Sequence, residues 1–195
     1  MNNDTPDTQY KALLDRAIQA IGERTYFSAY PEDPQAAPAG ERERGEAAFL
    51  ARLNDRFPLD DDAAAELHGE SVSPWGLPLN LRYADVAPQT AVARAQAAAP
   101  AWAAVPFERR ALICLDMLQR LNGAAFEMAF ACMHSCGQPF NMAYQAGTAH
   151  ALDRSLEAVA YAVREMRSVP AQVLWEKPLP KGTLRVEKTF DIVPR

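Results

Sequence analysis

The stretch Ala95-Gln96-Ala97-Ala98-Ala99-Pro100-Ala101-Trp102-Ala103-Ala104-Val105-Pro106-Phe107-Glu108-Arg109-Arg110-Ala111-Leu112-Ile113 decides the fold class. Alanine carries the highest intrinsic helix propensity, and here it is dense. Val92, Ala95, Ala99 and Trp102 fall at helical spacing and predict one apolar stripe, with Pro100 kinking or ending the rod. Pro106 suits the start of a second helix. Phe107, Ala111, Cys114, Leu115, Leu118 and Leu121 then share one face of it.

Reading toward the C-terminus, Asn122-Gly123 interrupts that helix. Phe126, Ala129, Phe130 and Met133 continue on a third, which Gly137 is expected to end. Pro139 opens a fourth helix. Its inward line runs through Phe140, Ala143, Tyr144, Gly147, Leu152, Leu156, Val159, Val163 and Met166, and it reaches Ser168 before Pro170. Residues 184–193 contain alternating apolar and polar positions, the period of a strand.

Toward the N-terminus, Leu79-Asn80-Leu81-Arg82-Tyr83 alternates in the same way and predicts a half-buried strand. Ser73-Pro74-Trp75-Gly76-Leu77-Pro78 is turn chemistry around a Trp read as buried. A short helix is expected over 45–56, with Phe49, Leu50, Leu53 and Phe57 inward. Pro31, Pro34 and Pro38 follow Tyr26-Phe27-Ser28-Ala29-Tyr30 and predict an irregular surface crossing. Tyr10, Leu13, Leu14, Ala17, Ile18 and Ile21 form the stripe of a first helix, with Thr5 as N-cap, Pro6 in the first turn and Gly22 as the stop. No repeat with a period of 20–50 residues is present.

Composition narrows the class. The chain has 195 residues, 49% hydrophobic and 23% charged, which suits a packed globular protein without staples. Three Cys, an odd number, do not make a disulfide framework. No apolar run spans a bilayer, and Met1-Asn2-Asn3-Asp4-Thr5-Pro6-Asp7 lacks the features of a signal or transit peptide. The expectation is a soluble, cytoplasmic protein with no membrane partner. The net charge of −5 speaks against nucleic acid as a partner. Residues 1–85 carry 8 Lys/Arg against 16 Asp/Glu, and residues 86–195 carry 12 against 9. The acidic residues are interleaved with apolar ones, so they read as solvated helix faces.

Candidate chemistry is sparse. Cys132 and Cys136, four apart on one helix, share a face and compete between metal binding and packing as small core thiols. Packing is favoured, because His134 points elsewhere, His150 is the nearest further ligand and no second Cys pair exists. Cys114 lies on an apolar stripe, and Cys136 sits at a helix C-terminus, where the dipole disfavours a thiolate. A Cys–His couple with His68 or His150 has no local support. No G-x-G-x-x-G or G-x-x-x-x-G-K-[ST] run exists to cradle phosphate. Asp60-Asp61-Asp62 reads as a helix cap, and Trp75, Trp102 and Trp175 read as core or interface packing. The residues thus describe a helical scaffold with no self-contained active site; no catalytic, cofactor-binding or metal residue is assigned.

The stretch 95–113 resembles the N-terminal part of the aldehyde dehydrogenase superfamily, which has an Ala-rich helix, a Trp, a Pro-containing turn, then Glu-Arg and an apolar helix. Ser135-Cys136-Gly137-Gln138-Pro139 resembles the family's Glu-Thr-Gly-Lys-Pro-like turn, with the Thr and Lys replaced. The helix through Leu156, Ala160 and Tyr161 is similar to the family's next element. Phe190-Asp191-Ile192-Val193-Pro194-Arg195 resembles the segment leading into the nucleotide-binding domain. Within the superfamily, the PaaN-like branch of phenylacetic acid degradation proteins is the nearest likeness. It rests on Gly45-Glu46-Ala47-Ala48-Phe49, on residues 73–79, on 133–153 with 156–162, and on Trp175-Glu176-Lys177-Pro178.

The resemblance implies a mainly α chain with a few β segments, the N-terminal helical layer of an aldehyde-dehydrogenase-like α/β fold, ending before the nucleotide-binding sheet. It divides the chain into an N-terminal extension (1–87), a helical layer of the cofactor domain (88–169) and an extended segment (170–195). For a full-length relative it implies homo-oligomerisation and NAD- or NADP-dependent oxidation of a CoA-linked semialdehyde, through a Cys thiohemiacetal with a Glu base and an Asn oxyanion donor. Cys114, Cys132 and Cys136 do not match the nucleophile motif, so none of these roles transfers. The expectation for the chain alone is a catalytically inactive piece with no cofactor. The competing reading is a free-standing helical interaction domain.

Overall fold

A computed structural model describes residues 6–57, 66–69 and 72–192. The chain is mostly helical, with two small two-stranded antiparallel sheets. Thr5 and Asp60-Asp61-Asp62, read above as caps, lie outside the described residues.

Helix α1 spans Pro6–Glu23 and buries Leu14, Ala17 and Ala20 from the expected stripe. It does not stop at Gly22. Arg24 adopts φ 56°, and the Thr25 N–H closes back on the Ala20 carbonyl at 3.0 Å, so Arg24 takes the left-handed position that usually goes to glycine. The following crossing holds one regular turn, the 3-10 segment Pro34–Ala36, where the Asp33 side chain accepts the Gln35 N–H. The crossing is not wholly superficial either, because Tyr30 is buried in the core.

Helix α2 spans Glu41–Leu50, starting and ending earlier than 45–56 because Gly40 at φ 84° supplies its N-cap. Phe49 points inward as expected. Leu50 and Phe57 are exposed instead, since the helix ends at Leu50 and turn residues follow. Strands β1 (Glu66–His68) and β2 (Arg82–Ala84) pair antiparallel. The strand expected over 79–83 is confined to its last residues. Asn80 at φ 47° breaks the extended run, and Leu79 turns into the core.

Helix α3 (Pro88–Ala103) continues past Pro100 to Ala103 and buries no residue, so its predicted stripe has no cover among the described residues. Helix α4 (Phe107–Gly123) buries Ala111, Leu112, Leu115 and Leu118, while Cys114 is half-buried and Leu121 exposed. Helix α5 spans Ala125–Cys136 and ends on Gly137 at φ 72°, as anticipated. The last rod is not uniform. It comprises α6 (Phe140–Tyr144), a π-helical segment (Gln145–Ala149) and α7 (His150–Arg167).

Two cores explain that π segment. Helices α1, α4 and α7 pack around Leu14, Leu115, Leu118, Leu152, Leu156 and Val163. Helices α2, α5 and α6 pack around Phe49, Phe126, Phe130, Phe140 and Tyr144. One rod must therefore present Tyr144 to the second core and Ala149 and Leu152 to the first. An extra residue per turn rotates the inward face between them. The buried Thr148 hydroxyl donates to the Tyr144 carbonyl across this turn.

The C-terminal segment is a hairpin of β3 (Gln172–Leu179) and β4 (Gly182–Thr189), with Trp175 opposite Val186 and Lys177 opposite Leu184. The strand expected over 184–193 thus starts earlier, ends at Thr189 and pairs with a strand the periodicity did not reveal.

Candidate functional site

The Cys/His cluster at the end of α5 is pulled apart by its own helix. Cys132 is half-buried, its thiol reaching Gln138 Oε1 at 3.6 Å and packing against Gly147 of the π segment. Burial raises the pKa of that thiol, followed by the neighbouring Cys136. Cys136 is exposed rather than in the core, because it lies on the last residue of α5 beyond the packed face. His134 turns to the other side and stacks on Phe49, ring centroids 5.1 Å apart. No metal-holding group of His, Cys, Asp or Glu exists among the described residues.

His134 acts instead as part of a clamp. Ser73 Oγ accepts the N–H groups of Trp75 at 3.1 Å and Leu77 at 3.2 Å. Its own proton is therefore directed at His134 Nδ1, 3.1 Å away, which assigns the imidazole proton to Nε2. Burial lowers the His134 pKa, and Glu46 opposes this only in part. The Trp75 indole N–H donates to the Met133 carbonyl at 3.1 Å. Trp75 itself is 53% exposed, so it lies over the end of α5 rather than inside the core. Turn 73–78 is thus pinned to α5 by polar contacts.

The remaining candidates do not converge. His150 is exposed, with Nε2 3.3 Å from Glu32. His68 lies on β1, and Cys114 lies on α4. Neither His134 nor His150 bonds a thiol.

A buried acid that periodicity did not flag organises the first core. Asp153 of α7 accepts from Ser28 Oγ at 2.6 Å and from the Ala29 N–H at 2.8 Å. It sits beside a cleft of about 410 Å³ between α1 and α7, whose rim includes Arg24, Tyr26 and Tyr161. Tyr30 is 3% exposed, and its hydroxyl has no hydrogen-bond partner among the described residues. Burial, with Asp153 second, pushes its pKa up to about 12. The available signal was a lone Asp beside Leu152, one turn before Leu156, on an otherwise apolar line.

Apolar surface is the other conspicuous feature. Ile113, Met117 and Leu121 form an exposed stripe on α4, four residues apart. On the hairpin, alternation puts Val173, Trp175 and Leu179 on one face with Leu184 and Val186, bordered by Lys177 and Lys188. The opposite face carries the Glu176–Arg185 ion pair at 2.7 Å. No hairpin residue is buried, so this amphipathic ribbon has an apolar face without cover among the described residues.

The chain is 40% identical to the NAD-dependent aldehyde dehydrogenase from Burkholderia multivorans over 98% of its own length, with a TM-score of 0.89. The Delta-pyrroline-5-carboxylate dehydrogenase from Mycobacterium tuberculosis, solved with NAD and cobalamin, superposes with a TM-score of 0.56 at 19% identity, over 80% of this chain. That second likeness is one of fold alone. The chain spans 35% of the first protein and 32% of the second, about a third of each. The first likeness extends to sequence as well as fold, over that third of the Burkholderia multivorans protein. No protein-family model and no curated protein matches the chain.

The neighbours raise the question of a dinucleotide. Such a cofactor needs a glycine-rich turn from a parallel strand into a helix. Among the described residues the sheets are antiparallel pairs, and no strand leads through a glycine-rich turn into a helix. No described helix is long and apolar enough to cross a membrane.

Proposed function

We propose that this chain is the N-terminal scaffold of a PaaN-like aldehyde dehydrogenase. The observation that carries this reading is the 40% identity over 98% of the chain with an NAD-dependent aldehyde dehydrogenase. In this reading 1–87 is an N-terminal extension, 88–169 is a helical layer of the cofactor domain, and 170–195 is the extended connection to a nucleotide-binding sheet. Catalysis and cofactor binding belong to the other two thirds of such a protein, which oxidises a CoA-linked semialdehyde with NAD or NADP. The full protein is a cytoplasmic homo-oligomer, and the apolar hairpin face supports a role in its assembly.

The coding DNA beyond codon 195 tests this. An in-frame continuation into an apolar strand and a glycine-rich turn supports the scaffold reading. An immediate stop supports the second reading, an inactive piece or free-standing helical interaction domain, which the exposed helix α3 favours. The substrate is tested with the continued protein, by comparing NAD(P) reduction on a CoA-linked semialdehyde and on its free-acid counterpart.

A further inference from the structure

Arg110 is 9% exposed, yet no ion pair or hydrogen bond of its side chain occurs among the described residues; its guanidinium carbon lies 5.9 Å from the Trp102 ring. A guanidinium stays protonated at any working pH, and an uncompensated buried charge is strongly unfavourable. Arg110 lines a cleft of about 560 Å³ between the N-terminal turn of α4, the end of α7 and residues 190–192. The same cleft is lined by Pro106, Phe107 and Glu108, the start of a 17-residue helix whose N-cap, Pro106, supplies no side-chain hydrogen bond. The first N–H groups of a helix and its dipole both favour an anion there.

We propose that this cleft is a binding site for a small organic carboxylate with an apolar body. The planar Arg110 fork matches a carboxylate in two parallel hydrogen bonds. Met166, Val169, Phe190 and Ile192 supply the apolar wall that an aromatic or aliphatic body needs. Two further groups set the charge that the site accepts. Glu108 and Asp191 also line it and oppose a dianion. Arg167 lines it too, but is held 3.3 Å from Asp15. The balance favours one negative charge over a phosphate dianion. The site contains none of the residues of the Asp153 cleft and does not depend on the aldehyde dehydrogenase reading.

The test is calorimetric titration of the full chain with benzoate at constant ionic strength, beside benzyl alcohol and inorganic phosphate. Benzoate is expected to bind saturably, and the other two at least tenfold more weakly. Arg110→Gln is expected to weaken benzoate at least tenfold, with Arg110→Lys in between. Absence of saturable benzoate binding overturns the proposal, as does equal binding of benzyl alcohol. A folded Arg110→Gln variant that binds benzoate as well as the parent also overturns it. The comparison of probes uses only the unaltered chain, so the proposal stays testable if the variant does not fold.

Discussion

The carboxylate of Asp153 accepts the Ser28 hydroxyl at 2.6 Å, tying the middle of the molecule to a loop 125 residues away in sequence. The same carboxylate takes the Ala29 N–H at 2.8 Å, and the next residue, Tyr30, drops into the core of α1, α4 and α7. One buried acid therefore sets how the Pro-rich crossing enters the helical layer. Removing it leaves a partly buried N–H without its acceptor. Asp153→Ala is expected to cost about 1–3 kcal/mol in urea unfolding. Hydrogen exchange at Ala29 should accelerate in parallel, and unchanged protection there would contradict this role.

Gly45 of α2 lies against Phe126 of α5 so closely that a Cβ at position 45 would meet the Glu127 backbone nitrogen at 2.8 Å. Backbone cannot swing aside as a flexible side-chain end can. Gly45→Ala is therefore expected to force the two helices apart and destabilise by at least about 1–3 kcal/mol, despite alanine's better helix propensity. A thermal melt measures it. A rise in Tm would mean that the two helices do not meet this closely.

His134 makes stability depend on pH. Burial lowers its pKa in the folded state below the ordinary 6.5, so the unfolded chain binds the extra proton first. The contribution of neutral His134 is present above pH 6.5 and is lost as pH falls from there through the folded pKa. Protonation would also turn Nδ1 into a donor facing a Ser73 oxygen that already accepts two N–H groups. Between pH 7.5 and 5.5, Tm should fall more for the parent than for His134→Gln. Parallel curves would remove His134 from the account.

Trp175 and Val186 face each other on the apolar side of the hairpin. A charge there should disfavour pairing of ribbon with ribbon, at the cost of the Trp175–Val186 cross-strand pair. The chain is expected to self-associate at micromolar concentration and above, and Trp175→Glu to shift it toward monomer. Sedimentation velocity reads both. A monomeric parent would show that this face needs no cover.

The legible parts of the fold were those where one period governs one element. The α1 stripe from Tyr10 to Ile21 and the Gly137 stop are of this kind. Other features depend on what lies opposite. The α3 stripe has helical spacing but nothing packed on it, so periodicity alone overstated its burial. The π segment serves two cores at once, and its trace in sequence was only the five-residue gap from Gly147 to Leu152. Strand β3 was hidden because Pro178 demotes a strand assignment, although each strand of a two-stranded ribbon has a free side that tolerates it. Trp75 and Arg110 show the same limit for sites: an indole read as core is a surface clamp, and an arginine within a helix start is buried.

The proposed function makes this chain the scaffold third of an aldehyde dehydrogenase. The most direct measurement is complementation. The Burkholderia multivorans enzyme, expressed without the region this chain matches, is mixed with the purified chain and assayed for aldehyde-dependent NAD reduction. The account predicts that neither piece alone reduces NAD and that the mixture does, with both pieces eluting together on a sizing column. Co-elution without activity, or activity from this chain alone, would contradict it.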